Sequence, residues 1–281
     1  MYKIIKKRIL SPTIKLMEVY APKVAKKAQA GQFVIIRIDE KGERIPLTIA
    51  DYDRERGTIT IVFQEVGRST MEMGILEEGD SFLDFVGPLG LATEIEDFGK
   101  VVCIGGGVGI APIYPIAKAL KKQGNEVISI IGARTKELLF FEDEMRAVSS
   151  QLFISTDDGS YCHKGFVTDL LKKVLEENDD VKVIWAIGPV VMMKSVAELT
   201  RSYGVKTIVS MNPIMVDGTG MCGACRVSVD GETKFACVDG PEFDGHKIDW
   251  DLAVRRLATF KNEEKEAMEH FNGGGGCGCQ R

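Results

Sequence analysis

The sequence lacks the features that would set it apart from ordinary soluble proteins. Its net charge is only −5 over 281 residues, without the basic excess that attracts nucleic acid or anionic lipid. The basic segment 1–10 has no apolar run of the kind a secretory signal needs. The least charged stretch, 101–117, is interrupted by glycines and prolines, which argues against a membrane span there. We therefore expect a cytoplasmic protein with no membrane span and no nucleic-acid partner.

Composition and length predict several domains of mixed class. With 44% apolar and 27% charged residues, the chain is large enough for two compact domains and a small appendage. The fold class expected is β followed by α/β. The pattern of apolar runs and glycines predicts four parts, at 1–97, 98–213, 214–248 and 249–281.

The first part has the pattern of a small antiparallel barrel. Runs rich in Ile, Val, Phe and Thr, separated by Gly, Pro and Asp turns, predict six strands. These strands lie at 2–10, 13–20, 32–38, 45–51, 58–65 and 80–86. Between the last two, Gly67-Arg68-Ser69-Thr70 predicts a loop opening a short helix. Such a helix start is suited to a pyrophosphate, but a capped helix closing the barrel explains the same residues.

From residue 98 the pattern changes to alternating strands and helices. Apolar strands at 101–105, 126–133, 151–156, 181–188 and 207–211 predict a parallel, doubly wound sheet. The first strand ends in a glycine turn at 105–109 that departs from G-x-G-x-x-G at Ile110. By itself this turn fits any α/β domain as well as a nucleotide site. Arg134 and Lys136 could bind the 2′-phosphate of a nicotinamide cofactor. Charged residues in a solvated loop after the second strand explain them as well.

The third part contains a cysteine cluster with one member missing. Cys222, Cys225 and Cys237 have the spacing of a plant-type [2Fe–2S] site, but its first position is Asp217. Three interpretations follow: a [2Fe–2S] cluster with Asp217 as fourth ligand, a zinc site completed by His246, and a redox-active dithiol. Gly223 and the strand-like residues 226–229 argue against the dithiol, which normally opens a helix.

The remaining cysteines are assigned structural or terminal roles. Cys103 and Cys162 are expected to be packing residues. Residues 249–271 predict one charged amphipathic helix. The glycine-rich end that carries Cys277 and Cys279 predicts a flexible tail.

Two stretches of the barrel resemble the flavin-binding signature of the ferredoxin–NADP reductase superfamily. They are Pro46-Leu47-Thr48-Ile49 and Gly67-Arg68-Ser69-Thr70. The resemblance implies that Leu47 packs on the ring of an FAD and that Thr48 bonds near flavin N5 as the catalytic contact. The Arg of the family signature falls at Ile45, so Arg68 replaces Arg44 as the phosphate candidate. The implied FAD site comprises Pro46, Leu47, Thr48, Val62, Phe63, Gln64, Gly67, Arg68, Ser69 and Thr70.

The second part resembles the same superfamily at two turns. Gly105-Gly-Gly-Val-Gly-Ile-Ala-Pro112 is similar to its G-G-G-x-G-x-A-P turn, and Ile187-Gly188-Pro189 to its Cys-Gly-Pro. In the family that Cys, here Ile187, lies near the nicotinamide. The resemblance implies an NAD(H) site at Gly106, Gly107, Val108, Gly109, Asp157, Gly188 and Pro189.

The order of barrel, nucleotide domain and cysteine module resembles the electron-transfer subunits of dihydroorotate dehydrogenase B. Asp217 in place of Cys resembles their relative more, the small subunit of NADH-dependent reduced ferredoxin:NADP⁺ oxidoreductase. This implies a [2Fe–2S] cluster on Asp217, Cys222, Cys225 and Cys237, and electron bifurcation in a heterodimer. The implied partner is a larger subunit with a second flavin and [4Fe–4S] clusters, with ferredoxin reached indirectly. The alternatives are the dihydroorotate dehydrogenase subunit itself and, in another class, a zinc-hairpin nucleotide-binding regulatory subunit.

Overall fold

The barrel is one antiparallel sheet in a computed structural model that describes residues 1–272. Its strands run in the order β6-β1-β2-β5-β4-β3-β7. The sixth predicted strand is divided at Leu83, whose N–H donates to the carbonyls of Arg37 and Ile38. One half therefore pairs with β1 and the other with β3, which nearly closes the barrel. The seven strands are β1 (Tyr2–Ser11), β2 (Ile14–Tyr20), β3 (Phe33–Arg37), β4 (Ile45–Asp53), β5 (Thr58–Gln64), β6 (Ser81–Phe82) and β7 (Asp84–Leu89).

Two short helices close the barrel. Helix α1 (Pro22–Ala25) begins with a proline in its first turn, and α2 (Arg68–Ile75) follows Gly67, as the sequence predicts. The Thr70 hydroxyl accepts bonds from the N–H groups of Val66 and Gly67 at 3.0 and 3.1 Å. These contacts shape the entry to α2 next to the end of β5.

The second sheet is parallel apart from one edge strand, in the order β11-β10-β9-β8-β12-β13-β16. Successive residues of its central strand face opposite apolar layers: Val101 and Cys103 pack on one side, Val102 and Ile104 on the other. The strands are β8 (Lys100–Gly106), β9 (Glu126–Ala133), β10 (Gln151–Thr156), β11 (His163–Lys164), β12 (Val181–Ile187) and β13 (Lys206–Ser210). The helices are α3 (Ile110–Gln123), α4 (Glu142–Val148), α5 (Val167–Glu177) and α6 (Val190–Arg201).

The strand order reverses at β8, which lies between β9 and β12. In open parallel sheets, ligands bind at the carboxyl ends of the strands flanking such a reversal. The glycine turn follows β8 directly, so the fold places it at this switch point.

The C-terminal module is built on a tight hairpin. Strands β14 (Arg226–Val229) and β15 (Glu232–Phe235) are joined by Asp230 and Gly231. Both turn residues have positive φ, 53° and 78°, as a two-residue hairpin turn requires. A third strand, β16 (Glu242–Asp244), pairs with β13 of the nucleotide sheet. This pairing joins the predicted third part to the second across their boundary at 213/214. The four-part division of the chain therefore stays a prediction.

The single helix predicted for 249–271 is wrong. The structure has α7 (Trp250–Leu257) and α8 (Lys261–Asn272), separated by a turn at 258–260. The Thr259 hydroxyl donates to the Arg256 carbonyl there. Helix α8 contacts α2 of the barrel. The predicted tail with Cys277 and Cys279 lies outside the described residues.

Candidate functional site

A cavity of about 980 Å³ lies between the barrel and the nucleotide sheet. Both parts of the chain contribute to its wall, so it is a single space shared by two predicted sites. Most of the predicted residues line it: Pro46, Leu47, Thr48, Val62, Phe63, Gln64 and Thr70 from the barrel, and Gly106, Gly107, Val108, Gly109, Asp157, Gly188 and Pro189 from the sheet.

Strand β4 contributes three of the predicted flavin residues, Pro46, Leu47 and Thr48, to the cavity wall. Thr48 is paired with Phe33 on β3, and Leu47 with Val34, so the backbone of this segment is fixed by a regular ladder. Leu47 also packs against the apolar core of the barrel. A rigid strand that presents an apolar side chain and a hydroxyl next to each other suits a flat heteroaromatic ring with a polar edge.

Three predicted flavin residues do not line the cavity. Gly67 precedes α2, the Arg68 guanidinium bonds to Glu72 at 2.8 Å, and the Ser69 hydroxyl donates to Glu43 at 2.5 Å. They stand beside the N-terminus of α2, adjacent to Thr70, which does line it. Their role as phosphate ligands stays a prediction.

The two nucleotide motifs contact each other. A Cβ on Gly109 would lie 2.2 Å from the Ile187 carbonyl oxygen, and one on Gly106 would lie 2.2 Å from the Met192 sulfur. Glycine is therefore required at position 109, where the clash is with the main chain, whereas at position 106 the flexible Met192 side chain would have to move. Gly107 differs, because it has φ 55° and a Cβ there would meet no atom within 4 Å. The open space over Gly107 fits a ligand that approaches the backbone, as a pyrophosphate does.

The part of the cavity wall formed by the ends of β9 and β10 carries both a positive and a negative side chain. Arg134 and Asp157, at the ends of the neighbouring strands β9 and β10, both line the cavity. Lys136, the other candidate for a 2′-phosphate, lies with its ammonium 4.9 Å from the ring centre of Tyr161. The structure thus places one of the two candidate cations at the cavity and the other on an aromatic ring.

The cluster loop, residues 216–225, lies between the cavity and the hairpin. Cys225 and Cys237 are buried, and their sulfurs are 3.2 Å apart. Burial, followed by the neighbouring Cys225 thiol, raises the pKa of Cys237 to about 11. Two buried thiols this close can both ionise only if a cation compensates them, which is the chemistry of a metal centre.

Cys222 and Asp217 form the other half of this group. Cys222 is exposed, and N–H groups of Ala224 and Asp217 that point at its sulfur lower the pKa of the thiol. The Asp217 carboxylate accepts the N–H of Thr219 at 2.9 Å and also its hydroxyl. These bonds, the hydroxyl first, lower the pKa of Asp217, so it is an anion at neutral pH. Backbone donors around sulfur are typical of iron–sulfur sites.

The zinc set is not assembled in the structure. His246 has its Nε2 3.0 Å from the Thr200 hydroxyl, on α6. Within residues 1–272, no three His, Cys, Asp or Glu side chains converge on a point suited to one metal ion. The four predicted cluster ligands instead form two groups, Cys225 with Cys237 and Cys222 with Asp217. A two-iron cluster divides its four ligands between two irons, so this donor set suits it better than one zinc.

Sequence reasoning missed part of the cavity wall. Met211, Asn212, Pro213 and Met215, from the segment that leads into the cluster loop, also line the cavity. No local pattern marks these residues, because their position depends on how β13 leaves the sheet. They place the cluster loop next to the shared cavity.

The sequence predicts that Cys103 and Cys162 are packing residues, and the structure confirms this for Cys103. Cys103 is fully buried on β8, whereas Cys162 is exposed, with a left-handed φ of 51°. The prediction for Cys162 is therefore wrong.

The described residues include no helix with the length and apolarity needed to cross a membrane.

Comparison with known proteins identifies two domains. Residues 103–198 match the oxidoreductase NAD-binding domain. Residues 212–249 match the iron–sulfur cluster binding domain of dihydroorotate dehydrogenase B. The second match contains all four predicted cluster ligands.

Full-length relatives extend the similarity over the whole chain. A homologue of the electron-transfer subunit of dihydroorotate dehydrogenase B (NAD⁺) from Thermotoga maritima is 53% identical, covering 90% of this chain and 89% of the relative. An uncharacterized protein from the adh 3′ region of Clostridium beijerinckii is 51% identical, covering 100% of this chain and 99% of its own. A solved chain from a study of flavin-based electron bifurcation, the NADH-dependent reduced ferredoxin–NADP oxidoreductase structure, is 49% identical with a TM-score of 0.92. That match covers 97% of this chain and 98% of the other. The chain belongs to the family of dihydroorotate dehydrogenase B electron-transfer subunits and their homologues.

Proposed function

We propose that this chain is the NADH-oxidising electron-transfer subunit of a flavin-based oxidoreductase of the reduced ferredoxin–NADP type. It binds FAD in the barrel, NAD(H) at the glycine turn and a [2Fe–2S] cluster at the cluster loop. The observation that carries the proposal is that Thr48 of the barrel and Gly107 of the nucleotide sheet line one and the same cavity. When bound, the flavin and nicotinamide supply hydride exchange, and the cluster supplies one-electron transfer.

The barrel residues orient the flavin in this proposal. Leu47 packs on one face of the ring, and the Thr48 hydroxyl hydrogen-bonds at N5. The N–H groups that open α2 face the pyrophosphate, an arrangement that favours anions. The Ser69 hydroxyl, which donates to Glu43 in this structure, would have to leave that carboxylate in order to hold a phosphate oxygen.

The nucleotide sheet positions the cofactor that enters from the other side. Gly107 allows the pyrophosphate to approach the backbone, and the packing of Gly109 on Ile187 fixes the turn that carries it. Asp157 accepts a bond from the adenosine ribose, which favours NAD(H) over its 2′-phosphorylated form. Met192 and Met211 also line the cavity, and their apolar side chains would limit the access of water to the reacting face.

The cluster loop supplies the exit for single electrons. Cys225 and Cys237 form one ligand pair and Cys222 with Asp217 the other. An Asp217→Cys variant should retain iron and sulfide but change the reduction potential and the EPR spectrum, because thiolate replaces a carboxylate oxygen on one iron. An unchanged spectrum and potential would show that Asp217 is not a ligand.

A partner subunit receives or supplies these electrons. Two apolar side chains of the cluster loop are exposed, Met221 by 87% and Val216 by 50%, and so is Val238 after the hairpin, by 39%. Such a patch next to a redox centre suits a stable protein interface. We propose a larger subunit with a second flavin and [4Fe–4S] clusters, in a cytoplasmic heterodimer that reaches ferredoxin indirectly.

Anaerobic purification tests the proposal directly. We expect one FAD, two irons and two inorganic sulfides per chain, bleaching of the flavin by NADH, and co-purification of the larger subunit. Zinc without sulfide would overturn the cluster and favour a regulatory subunit with a zinc hairpin.

The second candidate is the electron-transfer subunit of dihydroorotate dehydrogenase B itself, which the match at 212–249 favours. It differs in partner rather than in chemistry. Identification of a dihydroorotate-oxidising partner in the pull-down would select it.

A further inference from the structure

Arg44 connects the flavin barrel to the cluster loop. It lies one residue before β4, and its Nε donates to the carbonyl oxygen of Val216 at 2.9 Å. A terminal nitrogen of the same guanidinium lies 3.4 Å from the carbonyl oxygen of Asp217. The side chain therefore spans 172 positions of sequence to hold the main chain of a proposed cluster ligand.

The loop is also packed on the barrel immediately after Asp217. Gly218 has φ 82°, and a Cβ there would lie 2.4 Å from Ile35 Cδ1 and 3.0 Å from Leu89 Cδ1. Asp217 is thus fixed between a polar contact on one side and a close apolar contact on the other. Strands β3 and β7 provide the apolar surface, and the start of β4 provides the polar one.

The strand that follows Arg44 reaches the shared cavity two residues later, at Pro46. Leu47 and Thr48 line the cavity, whereas Arg44 does not. A short, ladder-bonded segment thus contacts the flavin site at one end and the cluster loop at the other.

We infer that Arg44 is a positioning residue for electron exit, which fixes the backbone of Asp217 against the barrel and places a permanent positive charge beside the cluster. This inference rests on the proposed function. A guanidinium is a permanently charged cation. A reduced cluster carries one more negative charge than an oxidised one, so the cation stabilises the reduced form more and raises the reduction potential.

Arg44→Gln tests both parts of the inference. We expect a more negative cluster potential in an EPR-monitored redox titration. A fall of about tenfold in the ratio of reduced to oxidised cluster at fixed potential corresponds to about 59 mV for one electron. Loss of the two carbonyl contacts should also speed iron release to a chelator by roughly tenfold. Arg44→Lys, which keeps the charge, should retain a potential close to that of the unaltered protein.

Arg54→Gln is the matched control. The Arg54 guanidinium also donates to a main-chain carbonyl of the barrel, that of Ala28 at 3.0 Å, but it does not touch the cluster loop. This variant should leave the potential and the iron release unchanged.

The outcomes separate the inference from the proposed function. If the unaltered protein holds no sulfide and no iron, the proposed function fails. If it holds the cluster, and Arg44→Gln changes neither the potential nor the iron release, the inference is overturned. Loss of the cluster from Arg44→Gln alone, with FAD and its reduction by NADH retained, would support it. A shift in Arg44→Lys equal to that in Arg44→Gln would overturn the role of charge.

Discussion

The sulfurs of Cys225 and Cys237 lie 3.2 Å apart in a buried pocket, although eleven residues separate them in the sequence. The β14–β15 hairpin brings them together, because its two-residue turn returns the chain beside the loop where it began. This pair is the most completely formed part of the candidate metal centre.

Replacing Cys237 by serine should abolish the cluster and spare the flavin. A hydroxyl is a much poorer iron ligand than a thiolate, and Cys237 belongs to the cluster module rather than to the shared cavity. We expect the visible absorbance of the cluster and the inorganic sulfide to disappear, with one FAD per chain retained. Cys162→Ser, at an exposed cysteine of the nucleotide domain, should change neither. Retention of two irons and two sulfides in Cys237→Ser would remove this cysteine from the ligand set.

Thr48→Val should slow reduction of the flavin by NADH without releasing the flavin. Valine matches the shape of threonine but removes the hydroxyl proposed to bond at N5. Loss of one hydrogen bond is worth about 1 kcal/mol, which predicts roughly a fivefold slower rate in stopped-flow absorbance. Thr60→Val, on β5, is the control, because Thr60 does not line the cavity. Equal rates in both variants would exclude Thr48 from the reaction.

Gly107→Ala should weaken NADH binding although the protein itself has room for the methyl group. A Cβ at Gly107 meets no protein atom within 4 Å, so the nucleotide is what it would obstruct. We expect the KM for NADH to rise by roughly tenfold or more, with a stability loss of about 1 kcal/mol from the positive φ of 55°.

Gly99→Ala controls for the backbone strain in this experiment. Gly99 has φ 89° and equally open space, but it lies at the opposite end of β8. It should lose similar stability in thermal unfolding and keep its KM. A raised KM in both variants would trace the effect to strain in β8 rather than to the nucleotide site.

Local patterns predicted the parts of the fold that local forces determine. Strands at 126–133 and 151–156 match β9 and β10 residue for residue, because a buried parallel strand is a continuous apolar run between turns. The residue pair Asp230-Gly231 likewise favours a two-residue hairpin turn, and both residues have the positive φ that such a turn requires.

Long-range contacts account for what the sequence did not reveal. The split at Leu83 depends on two separate partners, β1 and β3, and the pairing of β16 with β13 depends on the whole nucleotide domain. The glycines and cysteines of the site were recognisable because each motif is short. The bond from Arg44 to Val216 could not be recognised from the sequence, because no periodicity links residues so far apart.

A largely but not fully buried carboxyl at the junction of the three parts predicts a pH-dependent stability. Glu242, on β16, accepts the Thr93 hydroxyl at 2.6 Å, and its Oε1 lies 2.9 Å from the position of a Cβ on Gly31. Burial raises the pKa of Glu242 from its ordinary 4.5 to about 7. The folded state therefore binds this proton more tightly than the unfolded state. The associated stability is complete below pH 4.5 and is lost as the pH rises to 7, by at most about 3 kcal/mol because the side chain is partly exposed.

Glu242→Gln should remove this pH dependence. The amide oxygen still accepts the Thr93 hydroxyl, but the side chain never ionises, so the variant should match the unaltered protein near pH 4.5 and exceed it above pH 7. Chemical denaturation at pH 5 and pH 8 measures the difference. Glu94→Gln, beside Thr93 but exposed and paired with Lys206 on the surface, should leave the pH profile as it is. A Glu242→Gln variant that is less stable at pH 8 than the unaltered protein would show that the ionised carboxylate, despite its burial, stabilises the junction.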